Sequence, residues 1–437
     1  MSAADQAVPV SLWRDQRFRR FWAGQSVSQF GDRITELALP LIAVGALHAS
    51  AHQVAWLTAL IWAPNLLGIV LGAWVDHRIH KRRLMVLADL ARAAVLLSLP
   101  AAHVLGAVTL GQLYAVALLT GAAAVLFNTA YPPFFAHLVP RSSYVDANSK
   151  LSTSRSASYV AGPAIGGALV QALTAPVAVV VDALTFLASA LLVGRVSMDE
   201  VSAVPDRATP PLLRRAREGL AFVIRHPVLR PGLGCVATIN FFTFVAGSGL
   251  IVLFASRNLG LTAAAIGMAL GIGATGSLLG AVIAPKVSRR LGIGRSIAVG
   301  AVLFPAPIAI AAAAGGPLWA RAGALALAQF LSGVSVMLFD VNLNSLQAAV
   351  IPDGMRSRVA GAYSTINYGV RPVGAVLGGL LATLIGLRVT LLVAAVGGAL
   401  SLLWLLPSPI PRIHSLTPGH PVAPGTDTDR EAQPSPT

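Results

Sequence analysis

Charge along this chain is confined to short clusters separated by long apolar runs. Residues 37–75 and 93–140 contain no Asp, Glu, Lys or Arg. A membrane helix needs about 20 mostly apolar residues, so each of these runs fits parts of two helices joined by an uncharged turn. The charge-free intervals 231–256, 258–285, 296–320 and 389–411 fit one helix each, and 156–181, 322–339 and 372–387 fit helices with a charge near one end. The pattern predicts an all-α integral membrane protein of twelve transmembrane helices in two six-helix bundles. The spans run at about 20–46, 53–75, 84–106, 111–135, 147–171, 176–195, 230–256, 262–285, 295–315, 321–346, 357–385 and 389–407.

Loop charge sets the orientation. Arg14, Arg17, Arg19 and Arg20 precede span one, Arg78, Lys81, Arg82 and Arg83 follow span two, and Lys286, Arg289, Arg290 and Arg295 follow span eight. The turns on the other side offer Arg257, Arg321 and Arg388. Basic loops stay cytoplasmic, so both termini are expected inside a plasma membrane, as an even span number also requires. Four segments follow: a six-helix bundle with its cytoplasmic tail at 1–195, a cytoplasmic linker at 196–229, a second six-helix bundle at 230–407 and a disordered tail at 408–437. Within the linker, Leu213, Ala216, Leu220 and Val223 recur at helical spacing beside Arg214, Arg215, Arg217 and Arg225. That predicts an amphipathic helix lying on the cytoplasmic face.

Composition excludes the soluble alternatives. Hydrophobic residues make up 55% of the 437 and charged residues 11%, too few charges to cover a soluble fold of this length. The net charge of +15 does not indicate nucleic acid, because its basic residues fall in the short loops. The nine histidines show no metal spacing, and no Gly-x-x-x-x-Gly-Lys-Ser/Thr stretch provides a nucleotide site. No metal, cofactor or catalytic set is expected, and a membrane enzyme is the remote alternative. Cys235 is expected to be a packing residue.

The two groups of six spans repeat one another. Leu71-Gly72-Ala73 returns as Leu279-Gly280-Ala281, and Phe127, Pro140 and Gly166-Gly167 return as Phe339, Pro352 and Gly378-Gly379 at an offset of 212. Parallel repeats imply a pseudo-two-fold axis along the membrane normal, with a substrate site between the halves. The stretch from Gly72 through Asp76, Arg78, Lys81, Arg82 and Arg83, followed by Asp89 and Arg92, resembles the loop motif of the major facilitator superfamily. Gly162-Pro163 with Gly166 and Gly167 resembles the motif of its proton antiporters, and Val181 to Phe186 is similar to the drug-exporter branch that includes macrolide and siderophore exporters. Ile79 and His80 depart from the loop pattern. The resemblance implies that Asp76 locks the cytoplasmic side, with Arg92 as a partner, and that spans one, four, seven and ten line the cavity.

Ionisable groups at membrane depth usually face such a cavity. Asp32 and Glu36 lie four apart on span one, so they share a face; Asp340 lies on span ten and Arg371 on span eleven. An apolar cavity favours the protonated form of a carboxylate. Asp32, Glu36 and Asp340 are therefore the proton-coupling candidates, with Arg371 or Arg33 as the competing charge. The alternatives are an ion pair with Arg33 that fixes packing and a structural hydrogen bond at Asp340. Asp182 is read as a packing residue. Asn128, Tyr131, Asn240 and Asn344 are the cavity candidates. Trp56 and Trp62 are further candidates, whereas Trp22 and Trp74 are read as interface anchors. A proton crossing about 100 mV gains about 2.3 kcal/mol, and one pH unit adds about 1.4, enough for a several-hundredfold gradient of a neutral solute. The expected function is proton-coupled export of a bulky amphipathic compound by a monomer in the lipid bilayer. Lipid movement between leaflets and import are the alternatives.

Overall fold

The computed structural model describes residues 12–67, 75, 80–140, 143–197, 212–352 and 355–415. Every regular element among them is helical. The first half holds α1 (Gln16–Gly45), α2 (Ala51–Trp62), α3 (Lys81–Val104), α4 (Leu110–Leu138), α5 (Tyr144–Leu173) and α6 (Ala175–Gly194). A connecting helix, α7 (Leu212–Arg225), leads to α8 (Leu229–Ala246), α9 (Ser248–Arg257), α10 (Ala263–Leu291), α11 (Ile293–Leu303) and α12 (Ile308–Ala313). The chain ends in α13 (Leu318–Val350), α14 (Arg356–Ile385), α15 (Leu387–Ala399) and α16 (Leu402–Leu405).

Among the described residues, nine helical stretches are long and apolar enough to cross a bilayer. α1 and α5, at 30 residues each, are long enough but carry Asp32, Arg33 and Glu36, and Asp146, Lys150 and Arg155. α2 runs into a 3-10 turn at Ala63–Leu67 and then to the edge of the described residues. Together these account for the twelve predicted spans. Three spans expected as single rods are broken. Gly247, at φ 51°, separates α8 from α9, a conformation L side chains avoid. Pro305 and Pro307 separate α11 from α12, since neither has an N–H to continue the helix. α15 and α16 divide the last span.

The repeat seen in the sequence is written into the contacts. A Cβ added to Gly121 of α4 would stand 2.3 Å from the carbonyl oxygen of Ile61, on the chain just before the 3-10 turn. Gly333 of α13, 212 residues on, would meet the carbonyl oxygen of Gly273 on α10 at 2.2 Å, and residues 61 and 273 are likewise 212 apart. Between the halves the roles are exchanged. Gly167 of α5 lies against Gly267 of α10, while its mate Gly379 of α14 lies against Ala55 of α2, the mate of Gly267. An exchanged pair of this kind is the signature of a two-fold axis between the halves.

The two ends of the bundle differ. The end with the α1/α2, α5/α6 and α14/α15 turns, here the far end, has cores shared by both halves. Leu250, Leu253 and Ala382 pack among first-half residues such as Leu57, Leu113 and Val179, and Leu37 packs among second-half residues. At the terminal end each half has its own core. Phe18, Phe21, Phe134 and Val193 form one, and Val228, Cys235, Phe339 and Ile410 form another. Among the described residues, the halves thus share cores at the far end and keep separate ones at the terminal end.

Two peripheral expectations change. A helix, α7, occupies this stretch, and Leu220 and Val223 of its apolar stripe are covered by protein, packing with Leu229, Leu233, Val359 and Ala362. Glu218 fastens it, accepting from Arg214 at 3.0 Å and from Arg358 at 2.9 Å. The tail is ordered past Ser408 as far as 415. Ile410 and Ile413 are buried in the second-half core, and Ile293 and Gly294 donate backbone hydrogen bonds to His414 and Ile413. The rest of the linker and tail lies outside the described residues.

Candidate functional site

The first half gathers charge around α1. Asp32, Arg33, Thr35 and Glu36 occupy one stretch of that helix, and Gly31 beside them has no Cβ. A Cβ at Gly31 would overlap Asp182 and Thr185 of α6, so the glycine is what lets α6 place its carboxylate against α1. Asp182 is fully buried. The Thr35 hydroxyl donates to its Oδ2, and the Thr185 hydroxyl to its Oδ1 at 3.1 Å. α3 supplies Asp89 and Arg92, 1% and 7% exposed, whose charged groups are 3.9 Å apart. The Arg92 guanidinium is held between the rings of Phe186 at 4.9 Å and Phe127 at 5.8 Å. Its charge acts on Asp32 and on Asp182, and the two carboxylates act on each other. Asp32 itself is half-buried.

Glu36 is turned outward, half exposed, and accepts from Arg33 at 2.5 Å. This is the ion pair that the sequence offered as an alternative. Arg33 also lies over the ring of Tyr159 on α5, 4.3 Å from its centroid. The antiporter-type motif explains how it fits. Cβ atoms at Gly162 and Gly166 would meet the side chain of Arg33 and the Cα of Ile34, while Gly167 and the Pro163 carbonyl face α10. These four residues therefore pack α5 against α1 on one side and against the other half on the other. α5 and α14 both continue through their internal Pro163 and Pro372.

In the second half, the described charged residues of spans ten and eleven are Asp340 and Arg371 with the terminal Arg321, Arg356 and Arg358. Asp340 of α13 and Arg371 of α14 act on each other electrostatically. Arg371 lies 4.4 Å from the Trp62 ring, 4.6 Å from Tyr368 and 5.1 Å from Phe244, and its Nε is buried without an acceptor. Trp62 comes from the first half; it stacks on Tyr368 at 6.0 Å and meets Phe244 edge-on at 5.3 Å. Of the predicted cavity residues, Asn128 and Asn344 are exposed. Asn240 is half-buried and donates to the Val236 carbonyl at 3.1 Å. Tyr131 stacks on Phe135 at 5.9 Å within the terminal-end core. Tyr159, Tyr368 and Phe244 are the aromatic members that sequence reasoning missed. The repeat offset was a usable signal, since it relates Tyr159 to Arg371.

Of the loop motif, Gly72, Asp76 and Arg78 lie outside the described residues. Lys81 donates to the Val75 carbonyl and Arg82 to that of Val196. With Arg20, which reaches the Arg195 carbonyl at 2.7 Å, Arg82 puts a cation at the C-terminus of α6, where the helix dipole favours it. Arg83 is exposed.

The family model described as Major Facilitator Superfamily matches residues 21–375, with a further match at 234–432. The chain belongs to the major facilitator superfamily. It is accordingly a multi-pass membrane transporter and not an enzyme. The multidrug efflux pump Tap of Mycolicibacterium fortuitum is 27% identical over 88% of this chain and 93% of its own. An uncharacterized transporter of this superfamily in Bacillus subtilis, YfiS, is 26% identical over 87% and 91%. Two solved structures share the fold. The nucleoside transporter NupG superposes with a TM-score of 0.70 at 11% identity, over 91% of this chain and 99% of that one. A bacterial homologue of ferroportin in an inward-facing state gives 0.70 at 16%, over 90% and 98%.

Proposed function

We propose that this superfamily member is a proton-coupled exporter of a bulky amphipathic organic compound, in the class of antibiotics, related natural products or siderophores. It works by alternating access in a plasma membrane, with the terminal end cytoplasmic. The observation that carries the reading is a set of carboxylates within electrostatic reach of arginines inside an apolar bundle: Asp32, on which Arg33 and Arg92 act, and Asp340, on which Arg371 acts. An ionisable pair at membrane depth is retained where it moves ions or solute. Each carboxylate has a cation that stabilises its charged form, and a substrate or helix movement that displaces the cation changes its hold on a proton. The multidrug efflux relative supports the export direction. The separate terminal-end cores of the two halves support an inward-facing state, ready to take substrate from the cytoplasm. In this reading 1–195 and 230–407 are the moving bundles and 196–229 joins them.

The test is uptake of a fluorescent drug panel into everted vesicles driven by an imposed pH gradient. Asp32→Asn is expected to reduce uptake to the level of vesicles lacking the protein. Glu36→Gln, at an exposed position, is expected to give a smaller loss. Gradient-driven uptake at the unaltered rate in Asp32→Asn and in Asp340→Asn would sink proton coupling through these carboxylates.

A further inference from the structure

The repeat mates Tyr159 and Arg371 stand at the two seams between the halves, and the Arg371 charge acts on Tyr159 across them. The α2–α14 seam has an unequal construction. One first-half ring, Trp62, is plugged into a second-half socket of Phe244, Tyr368 and Arg371. It sits where α2 ceases to be an α-helix and tightens into the 3-10 turn at Ala63–Leu67. On the far-end side of the plug the halves are in close contact: Ala55 meets Gly379, and Val54 and Thr58 meet Gly249. On the terminal-end side each half has its own core. Past Trp62 the 3-10 turn still touches the other half, where Leu66 reaches Gly369, so the plug sits near the inner end of the shared packing.

Two attractions compete for the Arg371 charge. One is the face of Trp62 in the opposite half, an attraction worth about 0.5–2 kcal/mol. The other is Asp340 in its own half. The titratable groups that face Arg371 are Asp340 of α13, Tyr368 of α14 and Tyr159 of α5. Asp340 is the carboxylate among them. Its proton therefore decides which of the two attractions prevails.

We propose that Trp62 is the positioning residue of a far-end gate, latched by Arg371. With Asp340 protonated, Arg371 stays on Trp62 and the far end is shut. When Asp340 loses its proton, the carboxylate draws Arg371 off the ring, the plug is released and the α2–α14 seam opens. The order suits exchange: the proton-loaded form closes outside, and the proton-free form can open there with substrate aboard. The inference rests on the proton-coupled reading, but its test needs neither substrate nor transport.

The test places spin labels at Ala172→Cys and Asn258→Cys, exposed far-end positions in opposite halves, in full-length protein with Cys235→Ser, and reads their distance distribution in nanodiscs. From about pH 5.5 to about pH 8.5 the long-distance population should rise at least about threefold. Asp340→Asn should hold the short distance at both pH values. Trp62→Ala should hold the long population at both, and Trp62→Phe, which keeps a ring for the guanidinium, should restore the pH response. A Trp62→Ala protein that is monodisperse and responds to pH as the parent does would overturn the latch, whatever its transport. A far-end distance that responds to pH only while Trp62 is present, in a protein without gradient-driven uptake, would leave the latch standing and remove the exporter.

Discussion

The two halves share a packing plan and divide the chemistry unequally. Gly121 and Gly333 admit the same backbone carbonyl, and Gly167 and Gly379 make the same exchanged contact across the seam. The charged positions are not copied. Asp340 has Asn128 as its mate, Arg371 has Tyr159, and Asp32 has Phe244. The first half holds buried Asp89, Arg92 and Asp182 beside half-buried Asp32, whereas the second holds Arg371 in an aromatic socket, with Asp340 acting on it. Backbone contacts at glycine tolerate no side chain in either copy. Polar positions facing the space between the halves are free to diverge, because only one carboxylate or one cation is needed at a given point of the axis.

The sharpest way to break this comparison is to remove one arginine from each half. Arg92 is 7% exposed and its loss leaves Asp89, 1% exposed, without its cation. Removing one member of a buried pair costs about 3–5 kcal/mol. Arg92→Leu should therefore lower the thermal unfolding temperature and yield of the purified protein strongly, and Asp89→Leu on top of it should recover much of the loss. Arg371→Leu removes a buried Nε that has no acceptor and ring contacts worth about 0.5–2 kcal/mol, so it should destabilise less than Arg92→Leu while abolishing uptake. Equal destabilisation by the two substitutions would mean that the halves do not divide structural and mobile charge in this way.

A smaller effect tests the shared plan. Ala at Gly121 or Gly333 drives a methyl into a backbone carbonyl at 2.3 or 2.2 Å. Overpacking of this kind costs about 1–3 kcal/mol, and the two variants should lose the same amount in differential scanning calorimetry. A loss at one site only would show that the matching contacts carry different loads.

The fold was legible because its signals are one-dimensional. The charge-free intervals measured the spans, and the glycine pairs gave the duplication. What escaped the sequence was local backbone and lateral arrangement. Gly247 and Pro305-Pro307 break spans whose hydropathy is uninterrupted. Asp182 reads as a peripheral residue until Gly31 brings it to Thr35. Tyr159, Tyr368 and Phe244 carry no charge to draw attention at membrane depth. Their role depends on which guanidinium lies over each ring, and that is set by how α2, α5 and α14 meet. Glu36 shares a helical face with Asp32 as the spacing requires, yet its longer side chain ends outside, on Arg33.

The smallest expected effect compares the two first helices at their starts. Asp15 caps α1, its carboxylate accepting from the Arg17 backbone N–H at 2.8 Å. At the corresponding start of α8 the N-cap is Val228, and His226, two residues earlier, closes the turn, its Nδ1 accepting from the backbone N–H groups of Val228 and Leu229 at 3.2 and 3.3 Å. An imidazole that accepts through Nδ1 must keep that nitrogen unprotonated, and burial holds His226 below the ordinary histidine range. Its folded form thus binds a proton less readily than the unfolded chain, whose histidines titrate near about 6.5. Stability from this turn is present above that value and is lost as pH falls through the folded value. Between about pH 7.5 and about pH 5.5 the unfolding temperature should fall on this account, and less in His226→Gln. An identical fall in parent and His226→Gln would assign the acid sensitivity to another group and leave the two helix starts chemically equivalent.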